Sequence, residues 1–262
     1  MYFYVSYELR YMVFNFSTGP IINCVMDRYN AVANHLYRLR ELELDLVSHL
    51  FLKHMSVLEI GGGNGFQASK ISEWGCNVYS IDIKNRENQS MFFDVRDYDG
   101  KNIPFEDRKF DIIFTSNVLE HVVDINNILC EFKRVLNPNG FAICIMPTSS
   151  WRIWSILSYY PYLVGAMLKR MLKKNNSHPL TITAFPPSHG AYKSSFQEVY
   201  YYSKYHWTKV FNNNGLNLID CYSNGYFCTL YAIFPNLGIK YRKIIRNILG
   251  YSGNIFIVQQ SN

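Results

Sequence analysis

Strand-like and helix-like segments alternate along the middle of the chain, and this order predicts an α/β fold with a mostly parallel sheet. A glycine-rich turn follows the first strand-like segment, as in sheets that bind a ligand at their carboxyl edge. The chain has 262 residues, 48% apolar and 18% charged. This size and composition support one large core and exclude an extended disordered chain. We therefore expect a single Rossmann-like domain over residues 1–262, with seven strands and helices on both faces of the sheet.

Residues 1–55 are expected to form an N-terminal helical cap. Between Asp27 and Met55, leucines recur at spacings of three and four, which is the apolar stripe of an amphipathic helix. This helix is expected to pack against the sheet or to form a lid over it. The leucines are Leu39, Leu42, Leu46 and Leu50.

Residues 56–147 are expected to form the cofactor-binding core, since they contain the glycine-rich turn. Short runs rich in β-branched and aromatic residues predict its strands. These strands are Ser56–Ile60, Asn77–Ile81, Met91–Val95, Phe110–Thr115 and Phe141–Met146. Two helices are expected between them, Phe66–Glu73 and Val123–Leu136.

Residues 148–262 are expected to supply substrate-side insertions after strands five and six, together with the last two strands. Trp151–Lys174 is a candidate helix, and a loop containing proline, serine and histidine follows it. Phe196–Phe211 is an aromatic helix candidate that ends at the stop signal Asn-Asn-Asn-Gly. The last strands are expected at Leu216–Tyr222 and Asn254–Gln259.

The glycine-rich turn is the run Gly61-Gly62-Gly63-Asn64-Gly65, after the first strand and before the first helix. Glycine allows the backbone to approach a ligand closely. A dinucleotide fingerprint would require glycine where Phe66 stands, and a P-loop would require Gly-Lys-Ser/Thr, which is missing. Both phosphate-binding interpretations therefore fit poorly.

Two acids follow the turn at informative positions. Asp82 closes the second strand, 17 residues after Gly65. A carboxylate there can accept hydrogen bonds from two ribose hydroxyls. Asp99 lies beyond the third strand, ahead of Pro104 and Phe105.

In this order, the elements resemble the class I S-adenosylmethionine-dependent methyltransferases, most closely the type 11 group. The resemblance covers roughly Ser56–Pro147, and it also includes Phe110-Asp111, Val118–His121 and the turn Pro138-Asn139-Gly140. Asn139 stands where that family often has glycine, in a turn outside the site. The resemblance implies S-adenosylmethionine as cofactor and S-adenosylhomocysteine as product.

The resemblance also implies a role for each matching residue. Glu59 and the glycines would contact the methionine part of the cofactor, Asp82 would hold the ribose, and Asp99 would lie at the adenine amino group. Ser116 and Asn117 would pass beside the sulfonium. The expected cofactor-binding residues are Glu59, Gly61, Gly63, Gly65, Asp82, Ile83, Asp99, Gly100, Ser116 and Asn117.

Two histidines, His189 and His121, are candidate catalytic residues. A hydroxyl acceptor benefits from a general base, and His189 lies in a loop after the fifth strand, where the family inserts substrate-specific elements. His121 either accepts a proton or satisfies backbone groups near a helix start, and His189 has the alternative role of a surface-loop residue. Glu198 is a further acid to test. The sequence shows no Asp/Glu/His cluster of a metal site, so none is expected.

Charge divides the chain into two unlike parts. The net charge is +6, but residues 1–150 carry 14 basic and 18 acidic side chains, whereas residues 151–262 carry 12 basic and 2 acidic ones. We therefore expect an anion-facing surface after residue 150. Trp151–Lys174, with its tryptophans and basic end, is either a lid over the site or a helix resting on anionic lipid.

The acceptor is the least determined part of the function. The leading hypothesis is O-methylation of a sugar hydroxyl on an anionic cell-surface glycan or its precursor, since the aromatic stretch Tyr200–Trp207 could stack on sugars. The alternatives are RNA, disfavoured because the basic residues form no RNA-binding motif, and a quinone or lipid-type small molecule. A non-catalytic scaffold is disfavoured by the intact cofactor set. The six cysteines form no CxxC pair, and we expect a cytoplasmic protein, with peripheral contact at the inner membrane face as an option.

Overall fold

A seven-stranded sheet with strand order β3-β2-β1-β4-β5-β7-β6 organises the chain in a computed structural model, which describes residues 36–83, 91–173, 185–228 and 238–261. The expected α/β fold with seven strands is confirmed. The strands are β1 (Ser56–Ile60), β2 (Asn77–Ile83), β3 (Val95–Tyr98), β4 (Phe110–Ser116), β5 (Leu136–Pro147), β6 (Leu216–Ser223) and β7 (Gly253–Gln260).

The first five strands are parallel, and only β7 runs antiparallel to its neighbours β5 and β6. The central strands β1 and β4, and the part of β5 from Phe141 to Pro147, are mostly apolar and buried, as expected where helices cover both faces. One apolar cluster forms around Phe110, Phe132 and Trp207, and a second around Val47, Phe114 and Ile143. Parallel strands place their carboxyl ends along one edge, and that edge carries the site.

Helices connect the strands and close the two faces. They are α1 (36–47), α2 (Phe66–Glu73), α3 (Ile125–Val135), α4 (Ser149–Lys173), α5 (Ser195–Tyr201), α6 (Lys204–Asn213) and α7 (Ile239–Leu249). Side-chain caps fix several of their starts: Asp124 accepts from the N–H of Asn127, and Thr148 Oγ1 accepts from the N–H of Trp151.

The predicted third strand, Met91–Val95, was wrong: β3 begins where that segment ends. Phe92 is used outside the sheet, because its N–H donates to the carbonyl of Asn64 and its ring packs against Tyr37 and Phe66. The ladder with β2 starts only at Val95, which pairs with Ser80.

Two predicted helices also have different bounds. The N-terminal helix ends at residue 47 rather than at Met55, and its predicted start at Asp27 lies outside the described residues. The segment predicted as one helix, Phe196–Phe211, is two helices, because Ser203 Oγ accepts from the N–H of His206 and starts α6 anew.

None of the helices in the described ranges has the combination of length and hydropathy needed to cross a membrane. α4 has 25 residues, with Pro161 within it. Its amino end is anchored to the carboxyl end of α7, since Ser150 Oγ and Trp154 Nε1 both donate to the carbonyl of Leu249, at 2.6 and 2.9 Å.

Candidate functional site

Glu59, on β1, places a buried carboxylate at the carboxyl edge of the sheet. Its side chain accepts a hydrogen bond of 2.5 Å from Ser80 Oγ on β2, and its residue is 3% exposed. Burial raises the pKa of Glu59 to about 7, against the opposing effect of the Ser80 hydrogen bond. Such a carboxylate is positioned to pair with a cationic amino group.

The glycine-rich turn folds tightly over this carboxylate. Gly61, Gly63 and Gly65 all adopt positive φ angles, between 57° and 79°, which side chains other than glycine rarely tolerate. A Cβ built on Gly62 would lie 2.7 Å from Oε2 of Glu59 and 2.0 Å from Oγ of Ser80. The turn therefore needs glycine both for its backbone angles and for its approach to Glu59.

Asp82 lies at the end of β2, directly beside this turn. Its Oδ2 accepts from the N–H of Gly63 at 2.8 Å, and its Oδ1 accepts from the N–H of Ile83 at 2.7 Å. Each carboxylate oxygen keeps a further lone pair, so the group can still accept from two hydroxyls. This location is the one expected for a ribose-binding acid.

The end of β3 forms the next part of the edge. Ile83 is 52% exposed, and a Cβ built on Gly100 would lie 3.1 Å from its Cγ2, so the two residues are in contact. Asp99 follows β3, but its carboxylate accepts from the N–H groups of Lys101 and Asn102 in its own turn. These bonds lower the pKa of Asp99. Contact of Asp99 with an adenine stays a prediction.

Ser116 is the last residue of β4, and Asn117 follows it at the carboxyl edge of the sheet. Asn117 has a left-handed backbone, φ 55°, and its N–H donates to the carbonyl of Ile145. When the side-chain amide of Asn117 is oriented with its oxygen toward these donors, the oxygen accepts from Nη1 and Nη2 of Arg40, at 2.7 and 3.1 Å. This bond ties helix α1 to the edge of the sheet.

Helix α1 covers the carboxyl edge of the sheet. Arg40 also pairs with Glu43, and both side chains are buried. Glu43 in turn accepts from Nδ2 of Asn224, beyond β6, at 3.0 Å. Tyr37 OH accepts from Nδ2 of Asn64 in the glycine-rich turn. A single helix thus contacts the turn, β4 and the segment after β6.

A cluster of three titratable side chains, Glu120, His121 and His189, lies just beyond β4. Glu120 and His121 belong to a short 3-10 turn, Leu119–His121, whereas His189 comes from the loop before α5. The His121 and His189 ring centroids are 4.8 Å apart, and the ligand atoms of all three residues lie within 4.8 Å of one another. The structure brings together two histidines that are 68 residues apart in sequence.

The His189 loop is held in place by buried polar groups. Glu198 Oε1 accepts from the N–H groups of His189 and Gly190, both at 2.6 Å, and its other oxygen pairs with Nε of Arg152 at 2.7 Å. The N–H of Ala191 donates to the carbonyl of Glu120. Both partners of the ion pair are at most 1% exposed, so Glu198 acts by positioning the loop.

Gly190 fixes how closely this loop approaches the turn after β4. A Cβ built on it would lie 2.4 Å from the carbonyl oxygen of Glu120 and 2.7 Å from the Tyr202 hydroxyl. No larger residue fits there without moving the loop away from β4. The proximity of the two histidines therefore depends on this glycine.

Burial sets the protonation of the cluster. It lowers the pKa of His121 to about 4 and that of His189 well below its ordinary value, with His121 contributing to the second shift. Burial also raises the pKa of Glu120 to about 7. Near neutral pH these shifts leave both imidazoles uncharged.

Sequence reasoning missed Glu120 and the cluster it belongs to. Glu120 stood inside the run that carried the resemblance, but nothing in the sequence placed His189 beside it. The sequence showed no Asp/Glu/His cluster, because the β4 turn and the loop before α5 meet only in the folded chain. Asp111, by contrast, accepts from the N–H of Ser56 and from Nδ2 of Asn137, which are structural bonds.

The edge fits the polar groups of S-adenosylmethionine. Glu59 offers a buried carboxylate for the cationic amino group, and Asp82 offers acceptors for the ribose hydroxyls. The exposed side chain of Ile83 beside Gly100 offers an apolar surface for the adenine. Glu59, Asp82 and Ile83 provide two carboxylates and no basic side chain, so this set does not favour a phosphate group.

The raised pKa of Glu59 leads to a testable prediction on stability. Because the pKa is about 7 in the folded chain and 4.5 in the unfolded one, the carboxyl favours the fold fully below pH 4.5, and this contribution is lost as pH rises to about 7. The loss is about 3 kcal/mol. Glu59→Gln should remove this pH dependence. Urea unfolding of the cofactor-free protein at pH 5 and pH 8 measures it. The free energy of unfolding of the variant, relative to that of the wild type, should be higher at pH 8 than at pH 5. Glu106→Gln, at an exposed acid, is the control. A wild-type minus variant difference that is equal at both pH values contradicts the prediction.

Comparisons with known proteins agree with the geometry. A family model described as a methyltransferase domain matches residues 33–220. A ubiquinone biosynthesis O-methyltransferase of Bartonella tribocorum is 25% identical over 160 residues, which are 52% of this chain and 65% of that protein. A demethylmenaquinone methyltransferase of Tropheryma whipplei is 28% identical over 131 residues, 47% of this chain and 54% of that protein. The chain thus spans between about half and two thirds of the length of these relatives.

Solved structures show the same fold. An S-adenosylmethionine-dependent methyltransferase of Mesorhizobium loti superposes with a TM-score of 0.52 at 10% identity, over 84% of this chain and 98% of the other. The 1,6-didemethyltoxoflavin-N1-methyltransferase of Burkholderia thailandensis gives 0.50 at 12% identity, over 94% and 92%. Because the family model covers well over half of the chain, the protein belongs to the methyltransferase domain family and has the class I fold of S-adenosylmethionine-dependent methyltransferases.

Proposed function

We propose that this protein transfers a methyl group from S-adenosylmethionine to a hydroxyl oxygen of an acceptor bound at the Glu120–His121–His189 cluster. The supporting observation is the position of the cluster, shortly after Ser116, the last residue of β4, at the carboxyl edge of the sheet. In the reaction the oxygen lone pair forms the new C–O bond and the S–CH₃ bond breaks. S-adenosylhomocysteine leaves, and the hydroxyl proton has to go to another group. A hydroxyl acceptor needs this help more than an amine does.

The acceptor proposed here is an aromatic hydroxyl of a quinol-type lipid. Two relatives are named for the biosynthesis of ubiquinone and for demethylmenaquinone methylation, which supports this class. The cluster is also walled by aromatic rings: Trp151 lies 4.9 Å from His189 between ring centroids, and Tyr202 lies 6.5 Å from it. Such walls suit a flat ring.

An anionic glycan is the second candidate, and the 12 basic against 2 acidic side chains after residue 150 favour it. The aromatic stretch Tyr200–Trp207 was expected to stack on sugars, but it supports the glycan only weakly, because few of its aromatic side chains are exposed. Tyr202 and Trp207 are fully buried in the core, and Tyr201 is stacked on Tyr192. Only Tyr200 and Tyr205 of that stretch are well exposed.

An acceptor screen tests the proposal. Purified protein is incubated with S-adenosylmethionine and, separately, a catechol-type quinol, an anionic envelope glycan fraction and RNA, with release of S-adenosylhomocysteine as the readout. We expect turnover with the quinol, and a loss of at least 100-fold in His189→Ala while S-adenosylhomocysteine still binds in calorimetry. Turnover with the glycan alone would reject the quinol. Binding of the cofactor without turnover of any acceptor would instead support a scaffold.

We further propose that the acceptor is collected from an anionic membrane surface by two amphipathic helices. One face of α4 exposes apolar side chains at spacings of three and four: Ile153, Leu157, Tyr160, Val164 and Leu168. α7 does the same with Tyr241, Ile244 and Ile248, the last of which is 83% exposed. Lys240 and Lys243 border the α7 face, and the helix contains no acid. Exposed apolar residues beside lysines are suited to an anionic lipid surface.

Vesicle sedimentation measures this contact. The protein should bind vesicles of phosphatidylcholine with 30% phosphatidylglycerol and bind pure phosphatidylcholine weakly, with binding falling as salt rises. The double variant Ile244→Asp/Ile248→Asp should lower binding at least tenfold. Ile219→Asp is the matched control, since Ile219 is 59% exposed on β6. Equal binding by the double variant and the control would refute the role of α7.

A further inference from the structure

Glu120 is a fully buried carboxylate without a visible partner. It is 0% exposed, and no other described residue donates a hydrogen bond to either of its carboxylate oxygens. A buried polar atom without a partner costs free energy, and a buried ionised carboxylate costs more. The fold therefore leaves this group to be satisfied by a proton or by a bound cation.

Histidine nitrogens, which are of a type that binds metal ions, lie close to the Glu120 carboxylate. Its Oε1 lies 3.9 Å from Nε2 of His121, which also has no hydrogen-bond partner among the described residues. His189 brings a third ligand atom to within 4.8 Å of the other two. Ligands of one ion at about 2.1 Å lie at most about 4.2 Å apart, so small side-chain rotations would close the set.

We propose that Glu120, His121 and His189 bind one divalent transition-metal ion, such as Zn²⁺, Mn²⁺ or Fe²⁺. Two imidazoles and one carboxylate, with coordination positions left open, are typical of catalytic sites for these ions. Mg²⁺ and Ca²⁺ prefer all-oxygen ligands and fit this set less well. The ligands come from two chain segments, so binding also fixes the loop before α5 on the turn after β4.

The surrounding charges are compatible with a cation. Among the described residues, the guanidinium groups that act electrostatically on the cluster, Arg40 and Arg152, are each paired with a buried carboxylate, Glu43 and Glu198 respectively. Their charges are therefore largely compensated locally. The carboxylate of Glu120 is the one acid within the cluster, and a divalent ion compensates its charge.

The ion would change how the acceptor is activated, and this part rests on the proposed function. An acceptor hydroxyl that occupies an open coordination position loses its proton more easily, since the cation stabilises the oxyanion. The proton passes to solvent water, the oxygen attacks the methyl carbon, and the S–CH₃ electron pair stays on sulfur. The histidine nitrogens then act as ligands and do not take the proton themselves.

Metal titration of the full chain, stripped with a chelator and freed of any affinity tag, tests the site. Calorimetry with Zn²⁺ should show one site, and Co²⁺ should give the visible absorption of a low-symmetry N/O site. Glu120→Gln and His189→Ala should each weaken binding at least 100-fold. His206→Ala, at a half-buried histidine outside the cluster, should leave it unchanged. Binding that is absent, or equal in both variants and the wild type, overturns the proposal.

A second readout separates this proposal from the proposed function. S-adenosylhomocysteine affinity is measured in the same stripped protein and does not depend on the ion. If the cofactor binds and methyl transfer persists undiminished in excess chelator, the metal proposal fails and the methyltransferase remains. If S-adenosylhomocysteine does not bind, the proposed function fails, whatever the metal titration shows.

Discussion

Asp82→Ala should lower the affinity for S-adenosylmethionine and S-adenosylhomocysteine by at least about 100-fold, with the fold retained. Charge-assisted hydrogen bonds to a carboxylate contribute about 1.5–3 kcal/mol each, and loss of two of them gives a change of this size. Asp82 also accepts from the N–H of Gly63, so the variant loosens the glycine-rich turn, which adds to the loss of affinity.

Calorimetry with S-adenosylhomocysteine measures this effect, and circular dichroism checks the fold. Asp220→Ala is a matched control, because Asp220 also accepts from the N–H of the next residue, Cys221, but lies on β6, which three other strands separate from β1. Its affinity should equal that of the wild type. Unchanged affinity in Asp82→Ala would show that the cofactor binds elsewhere.

Glu198→Ala should lower the free energy of unfolding by about 3–5 kcal/mol, because it leaves the guanidinium of Arg152 buried without its counter-charge. At about 2–4 °C per kcal/mol, the melting temperature should fall by about 10 °C. The substitution also removes the acceptor for the N–H groups of His189 and Gly190. Methyl transfer should therefore fall even below the melting temperature.

Urea and thermal unfolding measure the loss of stability, and two further variants identify its cause. Arg152→Met/Glu198→Leu should be more stable than Glu198→Ala, since no buried charge is left unpaired. Glu41→Ala breaks the exposed pair of Arg38 and Glu41 and should cost less than about 1 kcal/mol. If Glu198→Ala cost as little as Glu41→Ala, the buried pair would not hold the loop.

Local chemistry determined the parts of the fold that could be predicted from sequence. α2 was predicted with its observed bounds, Phe66–Glu73, because a positive-φ glycine begins it and the chain turns at Trp74-Gly75. The apolar runs of β1 and β4 were equally recognisable. The prediction of the third strand failed because Met91–Val95 has strand-like composition. Its aromatic residue Phe92 packs instead against α1 and α2, and these tertiary contacts keep it out of the sheet.

The candidate site likewise has one part that the sequence predicts and another that depends on tertiary contacts. Glu59 and Asp82 belong to strand ends that follow the chain order, so a sequence pattern locates them. The meeting of Glu120 with His189 depends on the length and course of α4, on the Arg152–Glu198 pair and on the absence of a side chain at Gly190. None of these is periodic or local, and sequence patterns contain no signal for them.

The position of β7 has a consequence for biosynthesis. β7 is the last strand of the sequence, residues Gly253–Gln260, yet it lies between β5 and β6 and pairs with both along most of its length. Until the ribosome has released those residues, β5 keeps an open edge and β6 has no partner in the sheet. The nascent chain must therefore hold a half-finished sheet with unpaired strand edges for the time needed to translate everything after β5. Such edges favour association with other chains, so this protein depends on protection during synthesis more than one whose strands are added in order.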